Sequence, residues 1–141
     1  MSPRAIVPFL ALVLGSATLM LNAQKVKKTN LVPTSASSGQ QMFNEYCAVC
    51  HGTDGKGKGP ASGAMKAAPT NLTMLATNNG GKFPDNKVYG AIRGDAETPA
   101  HGSKDMPVWG TVFQEMSHGN AAEVQLRISN LTQYIGGLQA K

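Results

Sequence analysis

Apolar residues in this chain fall into a few short clusters separated by long polar stretches. From 5 to 21 the chain is mostly apolar, with Pro8 and Gly15 inside the run. Met42, Phe43, Tyr46 and Cys47 then cluster at helical spacing, and Ser38 stands where an N-cap belongs, so a helix is predicted over 38–47. Residues 52–81 are rich in Gly, Pro, Asn and Thr with little periodicity, and they read as loop with a short turn around Ser62 to Lys66. A loop of that length inside a small domain is unusual unless it wraps something. Pro84-Asp85 opens a second helix, about 85–93, which carries Val88, Ala91 and Ile92 and is ended by Gly94. Val108 to Met116 holds a short helical pattern. The clearest helix comes last. Asn120-Ala121-Ala122-Glu123 has the form of a capping box, and Val124, Ile128, Leu131 and Ile135 recur along one face before Gly136-Gly137. No β-alternation and no internal repeat is present. The prediction is an all-α protein with three main helices and long loops.

The first apolar run is better read as an address than as part of that fold. Met1 to Arg4 supplies a short positive start, 5–21 the apolar centre, and Leu21-Asn22-Ala23 a small residue at a cleavage point. Residues 1–23 are therefore an expected signal peptide, and the protein is expected to be periplasmic or otherwise exported. A cut after Ala17 is a second option. The run is also at the lower limit for spanning a bilayer, so an uncleaved membrane tether through 5–21 is the alternative. Residues 24–37 carry three lysines and then Pro33-Thr34-Ser35-Ala36-Ser37, the composition of a flexible polar linker. The folded domain is expected over 38–141.

Composition changes this picture in two places. The net charge of +5 sits mainly before residue 30; from residue 36 onward nine Lys and Arg face eight Asp and Glu, leaving +1. No dense basic run interleaved with aromatics occurs, so nucleic-acid binding is not supported. Aromatics make up only 6% of the chain, which limits the core that about 100 residues can build and favours help from a bound group.

The chain has two cysteines, and both lie in Cys47-Ala48-Val49-Cys50-His51. A disulfide across so short a loop removes little entropy and is strained, and a structural zinc wants a second ligand pair. A redox-active C-x-x-C of thioredoxin type needs a βαβ pattern, and has no use for His51. C-x-x-C-H is the attachment pattern of c-type haem. Two thiols at this spacing add to the two vinyl groups on one edge of a porphyrin, and the adjoining histidine turns beneath the ring to bind iron.

From about residue 38 to 138 the chain resembles a class I monohaem c-type cytochrome of bacterial type. The matching residues are Gly39-Gln40-Gln41-Met42-Phe43 before the motif, His51-Gly52 and Gly59-Pro60 after it, Met106-Pro107 further on, and the last helix with Leu131 and Tyr134. The resemblance implies one haem c, covalently bound through Cys47 and Cys50, with loops wrapped around it and the first helix crossing the last. It implies His51 as one axial ligand and Met106, 55 residues later in a Met-Pro step, as the other. Met116, His101 and His118 are the alternatives. It also implies that the Pro60 carbonyl accepts from the His51 ring N–H. Trp109 and Tyr89 are candidates to pack on the haem or to donate to a propionate, and Arg93 is a further candidate near a propionate.

Two filled axial positions imply a single-electron carrier rather than an enzyme, with redox proteins as donor and acceptor and a monomer as the working form. A haem-bearing electron-entry subunit of a larger respiratory or dehydrogenase complex is the main alternative. A haem peroxidase or gas sensor is a further one, and no catalytic constellation accompanies it.

Overall fold

The structure is a computed structural model and describes residues 32–95 and 106–140. The candidate signal and tether at 1–23, most of the expected linker, and His101 lie outside the described residues. The described residues fold as helices and turns with no strand, as the sequence predicts.

The first helical stretch begins where Ser38 Oγ accepts a hydrogen bond from Gln41 N, 3.2 Å away. It runs as α1 (Gly39–Met42), a π-helical turn Phe43–Cys47, and α2 (Ala48–His51). The wide turn is closed by Ala48 N–H donating to the Phe43 carbonyl, five residues back. Apolar spacing did not signal it, because a π turn and an α turn differ by less than one residue over so short a segment. The helix also runs past the predicted end at 47 and carries the whole C-x-x-C-H motif. Gly52, at φ 78°, ends it in a conformation that favours glycine.

The next thirty residues hold only short 3₁₀ turns at Ser62–Ala64, Leu72–Met74 and Thr77–Asn79. Three helices follow: α3 (Asp85–Arg93), α4 (Trp109–Met116) and α5 (Ala121–Gly137). Asn120 caps α5, its Oδ1 accepting from Glu123 N at 3.2 Å. The Glu123 carboxylate turns not to the cap but to Arg127, where Oε1 accepts from Nη2 at 2.7 Å.

The core sits where α1, α3 and α4 pack on α5. Met42, Phe43, Phe113, Ile128 and Leu131 are fully buried. Gly39 lets α1 approach α5: a Cβ there would collide with the Asn130 carbonyl. Beside that crossing the Phe43 and Tyr134 rings meet at 5.3 Å. Tyr46, Trp109 and Phe113 form an aromatic cluster, with Tyr46 and Trp109 stacked at 5.3 Å.

Residues 32–36 differ from the expected linker, because they are fastened to this core. Thr34 is buried. The Arg127 guanidinium donates to the Thr34 carbonyl at 2.9 Å, Asn130 Nδ2 donates to the Ala36 carbonyl at 2.9 Å, and Tyr46 Oη donates to the Val32 carbonyl at 2.7 Å. Composition marks such a segment as loop but cannot show that Tyr46 and two side chains some ninety positions later satisfy its carbonyls.

Candidate functional site

The motif turn would ordinarily leave its last carbonyls unpaired, because it ends a helix. Here the loop that follows doubles back and satisfies them. Ala61 N–H donates to the Val49 carbonyl at 2.8 Å, Gly59 N–H to Cys50 at 2.9 Å, and Gly57 N–H to His51 at 2.7 Å. At Gly59 a Cβ would strike the carbonyls of Ala48 and Val49, so the loop can close this tightly only with glycine. Cys47, Cys50 and His51 are thereby held within one turn of rigid backbone.

His51 is buried, and its Nδ1 lies 3.0 Å from the carbonyl oxygen of Thr70. A carbonyl only accepts, so Nδ1 carries the hydrogen and Nε2 is left with its lone pair. Burial pushes the His51 imidazole below its ordinary value, against a smaller opposing effect of the Thr70 bond, which favours the neutral ring. A neutral imidazole, oriented by a bond from its other nitrogen, is the form that binds metal. The acceptor expected at Pro60 is thus Thr70. Pro60 is exposed, because its segment pairs with the motif backbone rather than with the imidazole.

Cys47 and Cys50 are not joined by a disulfide. Burial, with a smaller contribution from Cys50, pushes the Cys47 thiol up to about 12. Thiol–disulfide chemistry needs a lowered cysteine pKa, so this environment opposes the redox-disulfide reading. No group of three or more His, Cys, Asp or Glu positioned to hold a metal occurs among the described residues.

Both cysteines and His51 face a mainly apolar cavity of about 250 Å³. Leu72, Val88, Ile92 and Ile135 contribute to its wall, and the stacked pair Tyr46 and Trp109 forms another part. Met106 and Trp109, both singled out in the sequence, line this cavity. So does Met65, which no motif in the sequence singles out. Tyr89 does not. One position after Val88, it is rotated about 100° around α3 and lines a separate groove with Ser129 and Gln133 of α5. Arg93 lies over the Tyr89 ring at 5.5 Å and pairs with Asp95 at 2.6 Å at the surface. His118 is an exposed turn residue at φ 49°, and Met116 packs against the core; neither lines the cavity.

The donor set fits a haem. Two thiols one turn apart, an imidazole with a free Nε2, and thioethers converge on an apolar cavity too large to be a packing defect in so small a core. No helix among the described residues is long and apolar enough to cross a membrane.

Comparison with curated proteins and with solved structures gave no match. Comparison with protein families gave one over residues 34–124, more than half of the chain, to the family described as cytochrome c oxidase, cbb3-type, subunit III. The match begins inside the fastened segment at 32–36 and spans the motif turn, the wrapping loop, Met106 and the start of α5. The chain belongs to this family, and it is a c-type cytochrome domain whose function is electron transfer through haem c.

Proposed function

We propose that the chain carries single electrons on one haem c bound covalently through Cys47 and Cys50, with His51 and Met106 as its axial ligands. The observation that supports this reading best is the convergence on one cavity of the motif turn and of Met106, 55 residues further along the chain. When bound, the haem supplies a reversible one-electron iron couple. The rest is the work of the protein. Cys47 and Cys50 fix the group to one helical turn. The Thr70 carbonyl holds the His51 ring and keeps Nε2 available. Tyr46, Trp109, Leu72 and Ile135 exclude water, which lowers the local dielectric and favours the less charged iron state. With His51 and Met106 both committed, no position remains for a substrate, so the chain acts as a carrier and not as an enzyme.

The working protein in this reading is exported. Residues 1–23 direct export or form a tether, and the chain from about 32 onward is the cytochrome domain. The family description also favours a second reading, in which the domain delivers electrons within a respiratory complex rather than as a free shuttle. Purification from native membranes separates the two. Co-purification with other subunits at fixed stoichiometry supports the complex, and recovery as a monomer supports the shuttle.

Substitution Met106→Ala, followed by the absorption spectrum of the ferric protein, tests the carrier chemistry. Loss of the methionine-to-iron charge-transfer band is expected. A band unchanged by the substitution would remove Met106 from the ligand set.

A further inference from the structure

Two residues that do not line the cavity are tied to its wall by hydrogen bonds, Thr34 directly and Arg127 through Thr34. Arg127 is buried, although it carries a full charge. Its guanidinium is held by Glu123 Oε1 at 2.7 Å and by the Thr34 carbonyl at 2.9 Å, and it donates to Thr34 Oγ1 at 3.3 Å. Ser117 Oγ lies 3.4 Å from its Nε, and the Phe113 ring lies 6.0 Å beneath its carbon. Thr34 Oγ1 in turn lies 3.0 Å from Tyr46 Oη. The Tyr46 hydrogen goes to the Val32 carbonyl at 2.7 Å, so Thr34 donates to Tyr46 and accepts from Arg127. Tyr46 therefore has its hydroxyl fixed at one end and its ring stacked on Trp109 at the other, and both rings line the cavity.

We propose that Thr34 and Arg127 are positioning residues for the Tyr46–Trp109 wall, and that through this wall they set the potential of the haem. The inference rests on the reading of the cavity as a haem site. Two side-chain features support it. A buried guanidinium is costly unless its donors are paired, so the geometry around Arg127 is narrowly defined. A tyrosine whose only polar atom is bonded on two sides cannot tilt without breaking one of those bonds. Freeing it loosens the stack on Trp109 and admits water beside the ring. Water stabilises the more charged ferric state, so the potential falls.

Thr34→Val is the direct test, because it keeps the shape of the side chain, changes no charge and removes only the hydroxyl. The midpoint potential of the intact haem protein is measured by spectroelectrochemistry, together with near-ultraviolet circular dichroism, which reports Trp109 as the single tryptophan of the chain. The expected result is a lower potential and an altered Trp109 signal in Thr34→Val, with both restored in Thr34→Ser. Tyr46→Phe removes the other end of the same bond and is expected to shift the potential in the same direction, which keeps the test open if the first variant does not assemble. Asn130→Ala is the comparison. It releases the same segment at Ala36, away from Tyr46, and is expected to lower stability while leaving the potential unchanged. A wild-type potential in both Thr34→Val and Tyr46→Phe overturns the proposal, as does an equal shift in Asn130→Ala. A wild-type chain that binds no haem refutes the underlying site instead, so the two failures are distinct.

Discussion

At the scale of single residues, two methionines line the cavity, and the proposed ligation uses one. Met106 sits in a Met-Pro step and Met65 in the wrapping loop a few residues before Pro69 and Thr70. Thr70 supports the imidazole of His51, so this loop backs the histidine side of the site, and the methionine opposite is expected to be Met106. Met106→Ala should lower the midpoint potential and open the iron to added imidazole or cyanide, while Met65→Ala should leave ligation unchanged; titration with these ligands distinguishes the two. Cys47, Cys50, His51, Met106 and Trp109, all singled out in the sequence by residue type and spacing, meet at one cavity. Thr70 was not legible. It acts through its backbone carbonyl, which every residue possesses, so no side-chain signal marks it. Tyr89 was misplaced for a related reason: helical periodicity shows that a residue is half-buried but does not say which of two neighbouring grooves it enters.

Charge gives a second expectation at this scale. The hydrogen bond from Arg127 holds the Glu123 carboxyl below its ordinary value, with smaller help from Ser117, Arg127's charge and His118, against partial desolvation. A carboxyl whose folded value is depressed adds stability above its unfolded value and loses it as pH falls through the folded one. The stability difference between wild type and Glu123→Gln should therefore be constant from neutral pH down to about 5, and should close as the pH drops below about 4. Urea unfolding at a series of pH values measures it. A difference that stays constant down to pH ~3 would mean that the ion pair does not hold Arg127 in place.

At the scale of elements, the helices follow from apolar spacing and caps. Ser38, Gly94 and Asn120 all stand at ends that the sequence marked. What the pattern missed is how the helices are joined. The motif turn is closed by backbone donors of Gly57, Gly59 and Ala61, and residues 32–36 are closed by side chains of α5 and by Tyr46. Such bonds pair positions with no shared periodicity, so a reading of local pattern cannot find them. The glycine at the crossing of α1 and α5 is where an element-level prediction is sharpest. Gly39→Ala places a methyl against the Asn130 carbonyl and should cost about 1–3 kcal/mol of stability by forcing the helices apart. Phe113→Ala, which empties a fully buried site under Arg127 and beside Trp109, should cost about 3–5 kcal/mol. Thermal or denaturant unfolding of the two variants checks both figures, and a wild-type midpoint for Gly39→Ala would contradict the close approach.

At the scale of the whole molecule, the long loop that looked out of place in the sequence has a reason. Residues 52–81 form little regular structure, yet they close the motif turn, supply the Thr70 carbonyl and contribute Leu72 to the wall of the cavity. The packed core accounts for only part of the enclosure, and the loop is ordered around the site it serves. A chain built this way should depend on its haem for stability, because the group fills apolar volume that no side chain occupies. Whether this group is joined to Cys47 and Cys50 is decided by the mass of the mature protein, read with its pyridine-haem spectrum. The expected result is the polypeptide mass increased by one haem, retained after acid extraction, with the spectrum of a haem whose vinyl groups are both saturated by thioether bonds. A polypeptide mass with no such increase, or a haem released by acid, would contradict it.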